Sequence, residues 1–471
     1  MVKRSASDDG HVAKRRVAKA LLNSIDDYKH LYISVRPLDV FCWGTGSMCE
    51  LGLGPLAKNK EVKRPRLNPF LPSDKVGIVS IAVGGMHTLA LDKDNYVWSW
   101  GCNDYGALGR DTSGAKEKLK DMEESSDDED GDLNELESTP TKIPMDSFSA
   151  AGDKKIIQLA ATDNLSCVLM NDGSVYAWGT FRCNEGILGF YQDRIDVQRT
   201  PWLVPKFSKT KIVQMAGGKD HILFLDEAGI VYAWGNGQQH QLGRKILDRF
   251  RLKTLDPRPF GLKNIKYIAS GENHCFALNK DGKLVSWGLN QFGQCGVNEV
   301  IEDGALVTLP TKVKNLPEEG KIKTISAGEH HSLVLMENGE LYTFGRIDMN
   351  EIGLLKAELP EYSYKDEHDR VRAVPLPTKL VKTLEDPEDD SDYKEVNFKN
   401  ITAGSHHSIA ISKDGKMYSW GFGETYAVGQ GPAGEDIEVP SKISNTATKD
   451  IDMILIGAGG QFSVSAGIKD N

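Results

Sequence analysis

The chain has 471 residues, 39% of them hydrophobic and 26% charged, with a formal net charge of −10. That is the balance of a soluble globular protein; no apolar run approaches the ~18 residues that cross a bilayer, and the start, with Lys3, Arg4 and Asp8-Asp9, lacks the apolar core of a secretory signal. Seven scattered cysteines without a Cys-x-x-Cys pair argue against a disulfide framework or a zinc cluster, so an intracellular protein with reduced thiols and no metal is expected.

Residues 1–34 read as a basic tail. Lys3-Arg4 and then Lys14-Arg15-Arg16 with Lys19 close behind form paired basic clusters. Such clusters suit a nuclear import signal, a nucleic-acid arm or a merely solvated tail.

From residue 35 to 467 one unit recurs, with residues 468–471 left as a short tail. Its best copy opens at Val83-Gly84-Gly85-Met86-His87, alternates as a strand, turns, and continues through Tyr96-Val97-Trp98-Ser99-Trp100-Gly101 to Leu108-Gly109. Second halves end at Trp43, Trp100, Trp178, Trp234, Trp287, Phe344 and Trp420; first halves begin at Gly84, Thr162, Gly218, Gly271, Gly328, Gly404 and Gly459. Both counts are seven, but the chain starts on a second half and stops after a first, so one repeat is split between the ends.

Trp178, Trp234, Trp287 and Phe344 follow one another at 56, 53 and 57 residues, near the ~50 of kelch-like propeller repeats. Each unit holds about four short strands, whose exposed edges would invite aggregation unless the sheets stand radially. An all-β, seven-bladed propeller follows, in which Val40-Phe41-Cys42-Trp43 completes the sheet begun by Phe462-Ser463-Val464 and closes the ring. Asp172-Gly173, Asp281-Gly282, Asn338-Gly339 and Asp414-Gly415 mark hairpins inside blades. The repeated Trp, Gly and His are expected to be structural, Trp filling between blades and His bonding neighbouring groups.

Function is therefore sought where the pattern breaks. Acidic insertions near 113–140 and 355–398 contain Glu123 to Asp130 and Glu385 to Asp392, and are expected to be solvent loops. Around Trp178 the unit reads Ala161-Thr162-Asp163-Asn164-Leu165, and its loop is Gly179-Thr180-Phe181-Arg182-Cys183-Asn184-Glu185-Gly186-Ile187-Leu188-Gly189. That loop is either a protruding wedge or a segment folded on its own blade. The next unit carries Asp220 where its siblings mostly lack an acid, and Arg244 to Lys253 forms a basic loop with apolar residues interleaved. The basic loop suits an acidic protein surface, phosphate or plain solvation.

These features, with Gly101-Cys102-Asn103-Asp104 leading to Gly106-Ala107-Leu108-Gly109-Arg110-Asp111-Thr112, resemble the regulator of chromosome condensation family closely enough to be read as a fungal ortholog within it. The resemblance covers the repeat and the irregular loops alike. It implies a guanine nucleotide exchange factor for the nuclear small GTPase Ran, without cofactor or covalent chemistry. Carried over by position, Asp163, Asp220 and Arg182 carry the exchange. Phe181, Asn184, Glu185, Ile187 and Leu188 of the wedge, with His87, Arg244 and His330, touch the GTPase. The family also implies nucleosome binding, with Arg249 and Arg251 on the histone acidic surface, and Lys14, Arg15 and Arg16 on DNA and on a nuclear import receptor. A nuclear, chromatin-associated protein without membrane contact is expected. Ser47 stands where an acid belongs, and Phe462 where a His belongs. The competing reading is a non-catalytic propeller scaffold; a hydrolase is disfavoured because no Gly-x-Ser-x-Gly elbow or phosphate-cradling glycine loop occurs.

Overall fold

Strand pairing follows the repeat. The computed structural model describes residues 22–114, 132–192, 195–297, 304–386 and 392–469; Lys14, Arg15, Arg16 and the acidic run 123–130 lie outside them. Antiparallel sheets stand around a channel lined by their first strands. Blade 1 uses Ile78–Val83, His87–Asp92, Val97–Gly101 and Thr141–Lys142; blade 2 uses Ile156–Ala161, Leu165–Met170, Val175–Gly179 and Gln198–Leu203. Blade 3 uses Ile212–Gly217, His221–Asp226, Val231–Gly235 and Arg258–Pro259; blade 4 uses Ile265–Ser270, His274–Asn279, Leu284–Leu289 and Leu306–Lys312. The core of blade 5 is Ile322–Ala327, His331–Met336, Leu341–Arg346 and Val371–Leu380, and that of blade 6 is Phe398–Ala403, His407–Ser412, Met417–Gly421 and Ile437–Lys442.

Blade 7 joins the two ends as expected. Ile451–Ala458 and Phe462–Lys469 supply its inner strands, and Asp39–Thr45 with Glu61–Leu67 its outer ones. Phe41 pairs with Ser465 and Trp43 with Ser463. The seam leaves Phe462–Lys469 paired on both sides, with no loose outer edge to template another chain.

Two devices join neighbouring blades at most of the junctions. Around the channel mouth, backbone N–H groups of Asp163, Lys219 and Glu272 donate to the carbonyls of Lys219, Glu272 and Gly328 at 3.1, 3.0 and 3.0 Å, and Gly460 N–H reaches Gly85 O at 3.0 Å. Blades approach so closely there that a Cβ on Gly84 would lie 2.0 Å from Thr162 O; only glycine fits such an approach. Farther out, His87 Nε2 lies 2.7 Å from Ser166 Oγ of the following blade. Ser166 gives its own proton to Ala107 O at 2.8 Å, and the same carbonyl accepts Trp178 Nε1–H at 2.7 Å. Because Ser166 donates elsewhere, His87 is the donor to it.

The His–Ser pair recurs as His274 with Ser332, His331 with Ser408 and His407 with Ser463 at 2.7, 2.8 and 2.8 Å. His221 meets Cys275 Sγ at 3.1 Å instead. The Trp bond recurs from Trp43 to Ala427 O, Trp100 to Glu50 O, Trp287 to Gln241 O and Trp420 to Glu351 O, at 2.7 to 3.0 Å. The repeated His and Trp are thus structural, as their periodicity indicated.

Residues 22–34, assigned above to the tail, lie on the ring. Asn23 Nδ2 donates to Asp226 O and Ile265 O at 3.2 and 3.0 Å, helix Asp26–Tyr32 places the Tyr28 hydroxyl on Lys266 O, and Ser34 N–H reaches Val79 O at 2.7 Å. Ile25 and Tyr28 join the apolar core of blades 3 and 4, which supplies the burial that a solvated tail would lack. The second insertion is also partly built into the disc: Tyr364–Lys365 extends blade 5, Thr383–Leu384 and Tyr393–Lys394 extend blade 6, and Glu385 accepts from Lys442 Nζ at 2.9 Å.

Candidate functional site

The seven turns between first and second strands and the long loops after third strands share one face of the disc. The first position after the turn glycine reads Gly85, Asp163, Lys219, Glu272, Glu329, Ser405, Gly460 around the channel; the next reads Met86, Asn164, Asp220, Asn273, His330, His406, Gln461. Asp163 and Asp220 therefore belong to different rings. Lys219, Glu272 and Glu329 of the first column and His406 of the second were not singled out from the sequence, although both columns were visible in it.

Asp163 stands at the channel mouth, where a Cβ on Gly85 would come within 2.1 Å of its Oδ1. Burial, reinforced by the Glu272 charge and opposed by Lys219, holds its carboxyl well above the ordinary range. Lys219 Nζ pairs with Glu272 Oε2 at 2.9 Å, and the Ser405 hydroxyl donates to Glu272 as well. Farther round, Arg346 bonds Glu351 at 2.6 Å and His406 Nδ1 at 3.1 Å, while His406 lies 3.3 Å from Glu329.

The loop after Trp178 is a separate two-stranded hairpin, Phe181–Cys183 with Gly186–Gly189, in which Arg182 pairs with Ile187. Alternation sends successive side chains to opposite faces. Phe181 is fully buried, edge-on to Trp234 with ring centroids 5.0 Å apart, and Leu188 is buried beside it. Neither is the partner contact that was expected: both are anchors in the junction between blades 2 and 3. Arg182 and Ile187 face outward instead, Ile187 at 50% exposure and the Arg182 guanidinium 5.1 Å from the Tyr105 ring.

Blade 3 holds this hairpin by its backbone. Asp220 Oδ1 accepts Arg182 N–H at 2.8 Å, so Arg182 is anchored through its amide and its side chain is left outside. Gln238 Oε1 accepts Asn184 N–H at 3.0 Å, and Glu185 faces Gln238 Nε2 and Arg251, the latter at 3.6 Å. Burial pushes the Asp220 pKa up to about 6, against the lowering effects of Arg182 N–H and the Lys219 charge.

His87 is removed from the site. It is fully buried between blades 1 and 2, and burial lowers its pKa to about 4; its place in the repeat is that of the His–Ser pair. His330 is the residue before that position, His331 being the structural one. His330 stays at the face, edge-on to Phe292 at 5.0 Å, and accepts from Gln291 Nε2 at 2.8 Å. Burial and then Arg346 push its pKa down to about 3, leaving a neutral imidazole. Arg244 is half-buried, donating to Arg258 O at 3.3 Å. Arg249 and Lys253 flank the Phe250 ring at 4.8 and 4.3 Å, so the basic loop presents cations around an exposed aromatic. Among the described residues no three His, Cys, Asp or Glu side chains converge as a metal ion would need.

Residues 39–465 match the RCC1-like domain. The guanine nucleotide exchange factor SRM1 of Saccharomyces cerevisiae is 66% identical, covering 100% of this chain and 97% of its own length. The human regulator of chromosome condensation is 27% identical over 96% of this chain and 97% of its own. The crystal structure of Prp20p from Saccharomyces cerevisiae, described with its binding properties to Gsp1p and histones, superposes with a TM-score of 0.87 at 65% identity, covering 96% of each chain. Yeast RCC1 (Prp20) bound to Kap60 gives 0.88 at 63% identity, over 100% of this chain and 97% of that one. With the match running from the first strand of the closing blade to the last, this chain belongs to the RCC1-like domain family.

Proposed function

We propose that this chain is a guanine nucleotide exchange factor for the small GTPase Ran, acting in the nucleus on chromatin, and that the hairpin face is where the GTPase binds. The supporting relatives are the SRM1 exchange factor and Prp20p with its binding to Gsp1p and histones. The observation that carries the site is the hairpin itself: a rigid two-stranded projection that offers Arg182 and Ile187 while its Phe181 root is locked against Trp234.

A GTPase holds its nucleotide through Lys, backbone N–H groups and Mg²⁺ on the phosphates. A partner that binds better to a conformation lacking those contacts weakens nucleotide affinity by its differential binding energy. Arg182 and Ile187 would press on the GTPase, the Asp220 and Glu272 carboxylates would receive its basic groups, and a basic group brought beside Asp163 would draw off the proton that burial favours there. Prp20 has been seen bound to Kap60, and we assign the corresponding import-receptor contact here to the basic tail. Leu22 N–H is pinned to Glu227 O at 2.9 Å, on the face opposite the hairpin, so a tail-bound receptor leaves the GTPase face clear. Arg249 and Arg251, with the tail, are the proposed contacts to histones and DNA.

Release of labelled GDP from Ran, with and without this protein, tests the reading. Asp220→Ala should lower the maximal rate about tenfold by freeing Arg182 N–H and removing a carboxylate. Because the Asp220 pKa is raised to about 6, its charge is present above that pH and lost below it. The parent rate should therefore fall as pH drops through about 6, and Asp220→Asn should flatten that limb; an unchanged profile in Asp220→Asn would remove Asp220 from the mechanism.

A further inference from the structure

Gln238 occupies the third position after the glycine at or near the end of each blade's third strand, where its siblings are Ser47, Asp104, Arg182, Gln291, Asp348 and Glu424. Gln291 uses that position to reach forward, to His330 of the following blade. Gln238 reaches backward instead. Its Oε1 accepts Asn184 N–H at 3.0 Å, and its Nε2 faces both Glu185 carboxylate oxygens at 3.4 and 3.3 Å. Asn236 fixes it from behind, accepting Gln238 N–H at 2.9 Å and donating Nδ2 to Oε1 at 3.3 Å.

The hairpin needs such support at its tip. Its root is held by Phe181 and by the bond from Arg182 N–H to Asp220, but the turn at Asn184 to Gly186 projects beyond the blades: Gly186 has φ +118 and nothing within 4 Å of where its Cβ would be. The other tip contact, Glu185 with Arg251, joins two side chains that are each about half exposed, and such pairs contribute little. A projection that does work on a partner must resist being pushed back, and each group that fixes its geometry raises the fraction of encounters in productive orientation.

We propose that Gln238 is a positioning residue for exchange, a latch from blade 3 that holds the hairpin tip of blade 2 rigid through Asn184 N–H and Glu185. The proposal rests on the reading of the hairpin as the element that engages the GTPase. The latch acts through the hairpin, so its loss should alter the rate at saturation more than the affinity for the GTPase.

The test uses the full chain with Gln238→Ala, Gln238→Glu, Glu185→Gln and the double variant E185Q/Q238E. Gln238→Ala should lower kcat for GDP release about five- to tenfold, the equivalent of losing a hydrogen bond or two, while KM for the GTPase stays within about twofold. Gln238→Glu should lower kcat at least as far, because two carboxylates then face each other. The double variant restores a donor opposite an acceptor and should return to within about twofold of Glu185→Gln, a coupling that general loss of stability would not produce. Parent kcat in Gln238→Ala, or a double variant no faster than Gln238→Glu, would overturn the latch. Amide exchange at Asn184 reads the same contact without any GTPase: it should accelerate in Gln238→Ala, and unchanged protection there would also overturn it. Failure of the parent chain to release GDP would instead sink the proposed function and leave the exchange result standing.

Discussion

Blade 2 is joined to its two neighbours by opposite means. Toward blade 1 the junction is a polar relay, in which His87 donates to Ser166 while Ser166 and Trp178 both donate to the Ala107 carbonyl. Toward blade 3 each member of that relay is replaced: Leu165 stands for the His, Ile222 for the Ser, and the hairpin for the loop that would supply the carbonyl. Trp234 is left with a buried indole N–H that has no partner, and Phe181, Phe190 and Tyr191 surround its ring at 5.0, 5.3 and 6.3 Å. The difference shows how a repeat is modified for function. Removing one loop orphans three polar groups, and an unpartnered buried polar group costs about 1–3 kcal/mol; converting two of the three to aliphatics and packing the third in aromatics avoids most of that.

The comparison is broken most severely by Phe181→Ala. It empties the aromatic socket and should cost about 3–5 kcal/mol, seen as a lower urea midpoint together with lost exchange. A variant with parental stability would mean that the hairpin root is not part of the core. A sharper contrast comes from the tryptophans themselves. Trp178→Phe removes a donor from Ala107 O, whereas Trp234→Phe removes an N–H that was bonded to nothing, so Trp178→Phe should be the more destabilising by about 1 kcal/mol. Equal costs would show that the indole bonds do not contribute to joining the blades.

The smallest effect lies at the seam. Phe462 fills the His position of blade 7, its ring edge 2.3 Å from where a Cβ on Gly459 would be, as the histidine rings of its siblings stand against theirs; opposite it the buried Thr88 hydroxyl has no partner. Phe462→His should complete a relay with Thr88 and stabilise the ring by about 1 kcal/mol. A lower melting temperature would indicate that the seam requires the larger apolar ring.

Much of this was readable along the chain because the signals are local. The Asp-Gly turns occur where stated, with Gly173, Gly282 and Gly415 at φ +86, +81 and +82, and the offset between half-repeats required one blade to be shared by both ends, since the last half-repeat would otherwise keep an exposed outer strand edge. The wedge was recognised as a departure from the repeat. Which of its side chains face a partner was not: alternation says that Phe181 and Arg182 point opposite ways, but only Trp234, supplied by the next blade, decides that Phe181 is the one turned inward. His87 and His330 were grouped together by position in the family resemblance, yet one residue of register separates a tether between blades from a largely buried imidazole at the loop face.

The sequence by itself determined the number of blades, their strands, the closing pair and the place where the pattern fails, because each depends on alternation, glycine and turn chemistry within a few dozen residues. Tertiary structure alone decided the hairpin's orientation, the latch at Gln238, the two rings of charge that separate Asp163 from Asp220, and the docking of residues 22–34. Each of those is set by contacts between different blades or across the disc, where a side chain's role depends on what a distant segment places against it.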